Sequence, residues 1–192
     1  MTDIIYTFYR PLTHYFCFQY RLLSANNYYK ALEDKKWTVA KFYLESGHKL
    51  DCWTDMGESL LDPMFGNDAP VELFDLFLEK GGCTLSEMPA FPKDQPMMGD
   101  QMPKFTPCFS AAMVNSEKYV KHIFGKLKAA GASVETLNPT CEVGDMGKKT
   151  LLEFTTMMVE EFLPQMEGDP DAPPDFADKA KAILVFLKAE LE

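Results

Sequence analysis

Apolar positions along this chain recur at helical rather than strand spacing, in pairs of short segments divided by turn residues. Residues 26–46 predict two helices, one over 27–34 and one over 38–46. In the second, Val39, Phe42 and Tyr43 form an i, i+3, i+4 stripe expected to face a core. Gly47 then supplies a residue suited to a left-handed helix end, and 48–55 read as an extended, exposed connection. The same grammar returns after Asp55-Met56-Gly57. A helix starts over 59–65, and Pro70 opens another that Val71, Phe74, Phe77 and Leu78 line and Gly81-Gly82 end.

The stretch PAFPKDQPMMGDQMPK (89–104) is too rich in proline for a regular helix and reads as a long loop. A third pair follows. Thr106 caps it, Pro107 fits the first turn, and Phe109, Ala112 and Met113 recur at helical spacing. Its second helix, 117–130, carries Val120, Ile123, Phe124 and Leu127 inward and stops at Gly131. Asp145-Met146-Gly147 matches Asp55-Met56-Gly57 and starts a fourth unit, with helices over 150–163 and 175–191 and the acidic, proline-rich loop PQMEGDPDAPPD between them. In the last helix Ile183, Phe186 and Leu187 share one face, while Lys179, Lys181 and Glu190 belong to a water-facing one.

Repetition underlies this pattern. VAKFYLESGHKLD (39–51) is echoed by LFDLFLEKGGCTL (73–85), and Gly47 and Gly81 lie 34 residues apart. With the insertion counted out, Gly82 and Gly131 keep a period of about 33, the spacing of a stacked array. The expected organisation is one domain, 1–192. It comprises an aromatic capping segment (1–23), repeats at 24–57, 58–88, 105–140 and 145–192, and the insertion loop 89–104.

Several short matches carry a family resemblance: Thr106-Pro107-Cys108-Phe109-Ser110-Ala111-Ala112, Leu44-Glu45-Ser46-Gly47, Phe77-Leu78-Glu79-Lys80-Gly81 and Ala130-Gly131-Ala132. The chain resembles a degenerate ankyrin-repeat protein. That resemblance implies an all-α solenoid of stacked helix-turn-helix repeats with short finger loops, acting by binding protein surfaces. The family's histidine after Thr-Pro-Leu is missing: Phe109 stands there in the third unit and Asp62 in the second. The hydrogen bonds that histidine makes between neighbouring turns must therefore be replaced or lost.

Composition narrows the function. An apolar content of 46% in 192 residues supports a sizeable core and argues against wholesale disorder. Lys+Arg 19 against Asp+Glu 29 gives a net charge of −10, which repels nucleic acid and favours a basic protein partner. No apolar run is long enough to span a membrane, and the start, interrupted by Asp3, Arg10, Pro11 and His14, makes a poor signal peptide. Five scattered cysteines read as reduced thiols, so the expected compartment is the cytoplasm.

Candidate chemistry is sparse. His48 with Cys52, and His14 with Cys17, lack a second pair at zinc spacing. The acid pairs Glu160-Glu161, Asp169 with Asp171 and Asp175 with Asp178 read as solvated surface rather than a catalytic dyad. No catalytic, metal or cofactor site is expected, and the protein is read as a non-enzyme. The partner-binding candidates lie on or near the expected fingers, 49–56, 83–88 and 135–139. They are Asp51, Trp53, Asp55, Met56, Glu58, Phe65, Glu87 and Glu135, with Met97, Met98 and Met102 of the insertion as an adaptable docking element. Trp53 is either an exposed anchor or packed on Tyr28 or Phe65, and the methionines either dock a partner or fold back onto the helices. The aromatic N-terminus, Tyr6 to Tyr20, either covers the open end of the stack or offers an association surface.

The leading expectation is a module that masks one basic protein, in its specific form a toxin-neutralising immunity protein or inhibitor. The alternatives are a metal- or cysteine-dependent enzyme and an acidic nucleic-acid mimic blocking a DNA-binding protein.

Overall fold

The computed structural model describes residues 25–47, 50, 52–54, 57–80, 82–87, 105–166 and 173–191. Those residues are mostly helical. Helix α1 covers 25–33; then come α2 (Trp37–Glu45), α3 (Leu61–Gly66), α4 (Val71–Glu79), α5 (Pro107–Met113), α6 (Glu117–Ala129) and the short α7 (Val134–Leu137). An antiparallel hairpin, β1 (Thr140–Glu142) with β2 (Lys148–Thr150), leads into α8 (Leu151–Met157), and α9 (Phe176–Leu191) ends the chain. The aromatic segment 1–23, the insertion 89–104 and residues 167–172 of the acidic loop fall outside the described residues.

One turn recurs three times. The residue two beyond the last full helical turn of α1, α3 and α5 sits in the left-handed region: Lys35 at φ 55°, Asp68 at 59° and Asn115 at 52°. The next N–H in each donates five residues back, Lys36 to Ala31 O at 2.8 Å, Ala69 to Met64 O at 3.0 Å and Ser116 to Ala111 O at 2.9 Å. This bond satisfies a carbonyl that the helix end would otherwise orphan, and it reverses the chain into α2, α4 and α6. The ends of the following helices repeat too, with Gly47 at φ 76° and Gly131 at 73°.

The third pair begins as the sequence predicts: Thr106 accepts from Phe109 N at 3.3 Å and Pro107 takes the first helical position. Helix α8 starts on a reciprocal capping box between Thr150 and Glu153, and Asn138 Oδ1 accepts from Leu152 N at 2.9 Å. The predicted continuous helix over 150–163 is corrected. After Met157 the chain widens into a π-turn (Met158–Phe162) and then tightens at Leu163–Gln165. Pro164 supplies the reason, since it has no N–H to continue the ladder.

The contacts between helices follow a simple order. Helix α3 packs on α5 and α5 on α8; α2 packs on α4 and α6 on α9. Aromatic pairs join several of the helices. Tyr28 of α1 stacks on Phe77 of α4 at 6.0 Å, Tyr119 of α6 meets Phe65 and Phe74 at 4.5 and 5.8 Å, and Phe109 of α5 meets Phe154 of α8 at 4.9 Å. Side chains also tie neighbouring turns. Asn67 Nδ2 donates to Leu32 O at 3.2 Å, and Lys118 Nζ donates to Ala69 O at 2.7 Å and Asp68 Oδ1 at 2.9 Å. Tyr119 Oη donates to Ala69 O at 2.8 Å.

Two expectations about faces are corrected. On α2 the buried residues are Ala40 and Leu44, while Val39 and Phe42 are 43% and 65% exposed. The helix turns its Ala40/Leu44 side inward because α4 packs there, and small Ala40 permits the approach. Met113 of α5 is likewise exposed, although Phe109 and Ala112 are buried as predicted.

Replacing Tyr119 with Phe removes a buried hydrogen bond but keeps the ring. Stability should fall by about 1 kcal/mol, seen as a lower urea midpoint at unchanged slope. At Gly82 an added methyl would sit 2.2 Å from the ring of fully buried Phe77. Gly82→Ala is expected to cost about 1–3 kcal/mol in the same titration, because that ring has no free volume to enter.

Candidate functional site

Among the described residues, the predicted finger positions divide between core and surface. Trp53 is 7% exposed, pairs with Ser59 in an antiparallel bridge and belongs to the core with Leu50 and Cys52. Burial of a large indole outweighs its exposure in a polar loop, so of the two expectations for Trp53 the buried one holds and the surface anchor does not. Phe65 is also core, 1% exposed, against Tyr119. Glu135 is exposed but lies in α7, one helical turn, and the extended hairpin of this region is β1–β2. Glu58 and Glu87 are exposed beside tight turns, where each backbone N–H donates to a threonine, Thr54 and Thr84, at 3.0 Å. Asp51, Asp55, Met56, Met97, Met98 and Met102 lie outside the described residues.

A groove between α2 and α4 is the larger concavity, with a volume of about 730 Å³. Trp37, Pro70, Leu73 and Leu76 give it an apolar floor, and Glu45, Glu72, Asp75, Glu79 and Lys41 surround it. The local sequence builds both walls. Helix α2 runs from Trp37 to its end before Gly47, while Pro70, extended at φ −56°, ψ 134°, sets the start of α4. On α4, Glu72, Asp75 and Glu79 recur at i, i+3 and i+7, so they share one row while Phe74 and Phe77 point inward. A second hollow of about 410 Å³, by β2, α8 and α9, mixes Lys149 and Lys188 with Glu153, Glu160 and Glu161, so it has no single sign.

The rim carboxylates are held unequally. Asp75 receives His122 Nε2 at 2.8 Å and Lys126 Nζ at 3.1 Å, both from α6. Partial burial alone would raise its pKa, but the hydrogen bonds and charges of His122 and Lys126 outweigh that and hold its carboxyl below the usual range. Glu45 lies 3.5 Å from Lys41, and Glu79 lies 3.5 Å from Lys80, both open to water and weak. Glu72 has no ion-pair partner among the described residues. Elsewhere, Asp62 of α3 is exposed as a residue, yet desolvation pushes its carboxyl up to about 6.

The described thiols lie inside the fold. Cys52, Cys83, Cys108 and Cys141 are buried and outside any disulfide, and burial pushes Cys108 up to about 12 and raises Cys141. Among the described residues, no three His, Cys, Asp or Glu side chains converge as a metal site, and no helix is long and apolar enough to cross a membrane.

None of the groove's principal residues was singled out by sequence reasoning. The signal was present in the i, i+3, i+7 acids of α4, which continue the water-facing side of a helix whose apolar side was read correctly. Comparison with models of protein families, with curated proteins and with solved structures finds no match.

Asp75 gives the groove wall a pH signature. A carboxyl whose folded pKa is depressed adds stability above its unfolded pKa and loses it as pH falls through the folded one. Asp75→Asn should therefore lower stability at pH 7 by up to about 1 kcal/mol. Thermal melts should show that difference shrinking below about pH 4 and vanishing once the wild-type carboxyl is protonated.

Proposed function

We propose that this protein is a non-enzymatic binding module, an ankyrin-like stack of helical hairpins that masks one protein partner with a basic surface. The observation that carries the reading is the α2–α4 groove, an apolar floor under four carboxylates and one ammonium, in a chain of net charge −10. Support for the stack comes from the turn that recurs at Lys35, Asp68 and Asn115, and from the order in which first helices touch first helices and second touch second. The buried thiols with raised pKa support a binding role over nucleophilic chemistry, since the thiolate is the reactive form.

Masking would act by occlusion: the acidic face covers a basic surface that the partner needs for its own activity. An inhibitor, in its specific form an immunity protein that neutralises a toxin, fits that mode of action. Opposite charge speeds encounter and makes binding sensitive to salt, because screening is short-ranged at about 8 Å in physiological ionic strength.

Affinity capture of the tagged chain from the lysate of its own cells should return one stoichiometric basic protein, released as sodium chloride rises toward 0.5 M. A set of many weak partners, or one dominant acidic partner retained at high salt, overturns the reading.

A further inference from the structure

We infer that the α2–α4 groove receives a basic amphipathic helix of the partner, with apolar side chains on the Trp37–Leu76 floor and Lys or Arg side chains on the row of α4 acids. This rests on the binding reading above and names the shape and chemistry of what is bound. The groove's walls are two helices of nine residues each. At 1.5 Å rise per residue each wall is about 13 Å long, the length of two to three helical turns.

Spacing selects the occupant. Glu72 and Glu79 stand seven residues apart on α4, about 10.5 Å along its axis. Cations at i and i+7 of a helix lying alongside share that spacing, with an i+3 or i+4 position between them. That middle position faces Asp75, which Lys126 and His122 already hold, so the negative charge open to a partner lies at the two ends. These are Glu72, unpaired among the described residues, and Glu79, whose 3.5 Å contact with Lys80 is exposed and weak. Between the ends, Leu73 and Leu76 lie beside the row, which places an apolar contact on the same face of the occupant. A helix that combines the two meets both the floor and the rim.

Other occupants fit less well. A nucleic acid or an acidic peptide brings charge of the sign already present. A second copy of this chain brings another −10, and its own acidic row would face this one. The chain's acidic loop, PQMEGDPDAPPD, fails on the same ground.

The test uses the full chain and a labelled helical peptide of about fourteen residues, Leu on one face and Lys at i, i+3 and i+7, with a Glu-for-Lys peptide as control. Fluorescence anisotropy at low salt is expected to show the Lys peptide binding and the Glu peptide not. Glu72→Gln/Glu79→Gln, both at exposed positions, should weaken it by at least about tenfold, equivalent to about 1.4 kcal/mol. Glu142→Gln/Asp145→Asn removes the same charge from the exposed β1–β2 hairpin and should change it less than about threefold, about 0.7 kcal/mol or less. Trp37 emission should shift on binding, and Trp37→Phe should abolish the shift, because Trp53 is buried in the core.

Equal loss in the two double variants shows net charge alone at work and overturns the groove. So does an absence of binding, or self-association of the chain that Glu72→Gln/Glu79→Gln relieves. A captured basic partner that binds both double variants alike overturns the groove while masking stands. Peptide discrimination without any captured basic protein upholds the groove and overturns masking.

Discussion

The described structure depends on a hydroxyl that reaches across fifty residues of sequence. Tyr119 of α6 donates to the carbonyl of Ala69 in the turn between α3 and α4, with its ring against Phe65 and Phe74. The insertion 89–104 separates those elements in the chain, so continuity of the backbone cannot set their geometry. Packing and this hydrogen bond must. Lys118, one residue earlier, reaches the same carbonyl, and His122 and Lys126, one and two turns later, fasten to Asp75. One face of α6 thus holds α4 from the turn before it to Asp75.

That constraint also shapes the groove. Helix α4 is a shared wall: its inner row joins the core, one flank meets α6, and the other flank faces α2. The α6 flank neutralises Asp75, so the acids left to act on something outside the chain are those near the ends of α4. A charge distribution that looks scattered in sequence becomes ordered once one helix is fixed by its neighbour.

Much of the helical pattern was legible before any coordinates. Thr106-Pro107, Pro70 and Gly131 marked boundaries correctly because capping and φ preference are local, and α6 showed its inward stripe because four of its large side chains repeat at helical spacing. The errors have physical causes of another kind. Val39 and Phe42 were assigned inward because they form an i, i+3, i+4 stripe with Tyr43, whereas the neighbour α4 selected the Ala40/Leu44 side. Trp53 could not be placed from sequence, because its neighbours are polar while its indole is large, and it lies in the core with a bridge to Ser59. The groove was illegible for a related reason: its walls lie more than thirty residues apart, and nothing local reports that two outward faces diverge enough to leave space between them.

The three recurring turns place Lys35, Asp68 and Asn115, a cation, an anion and an amide, in one backbone conformation that most side chains avoid at a cost of roughly 1–2 kcal/mol. Asp68 and Asn115 are of the types whose short polar side chains tolerate that region, whereas Lys35 is not, so at Lys35 the five-back hydrogen bond and the packed helices on either side must offset the cost. The reversal of the chain is therefore carried by main-chain closure in all three turns, and side-chain identity sets only how much strain each turn stores.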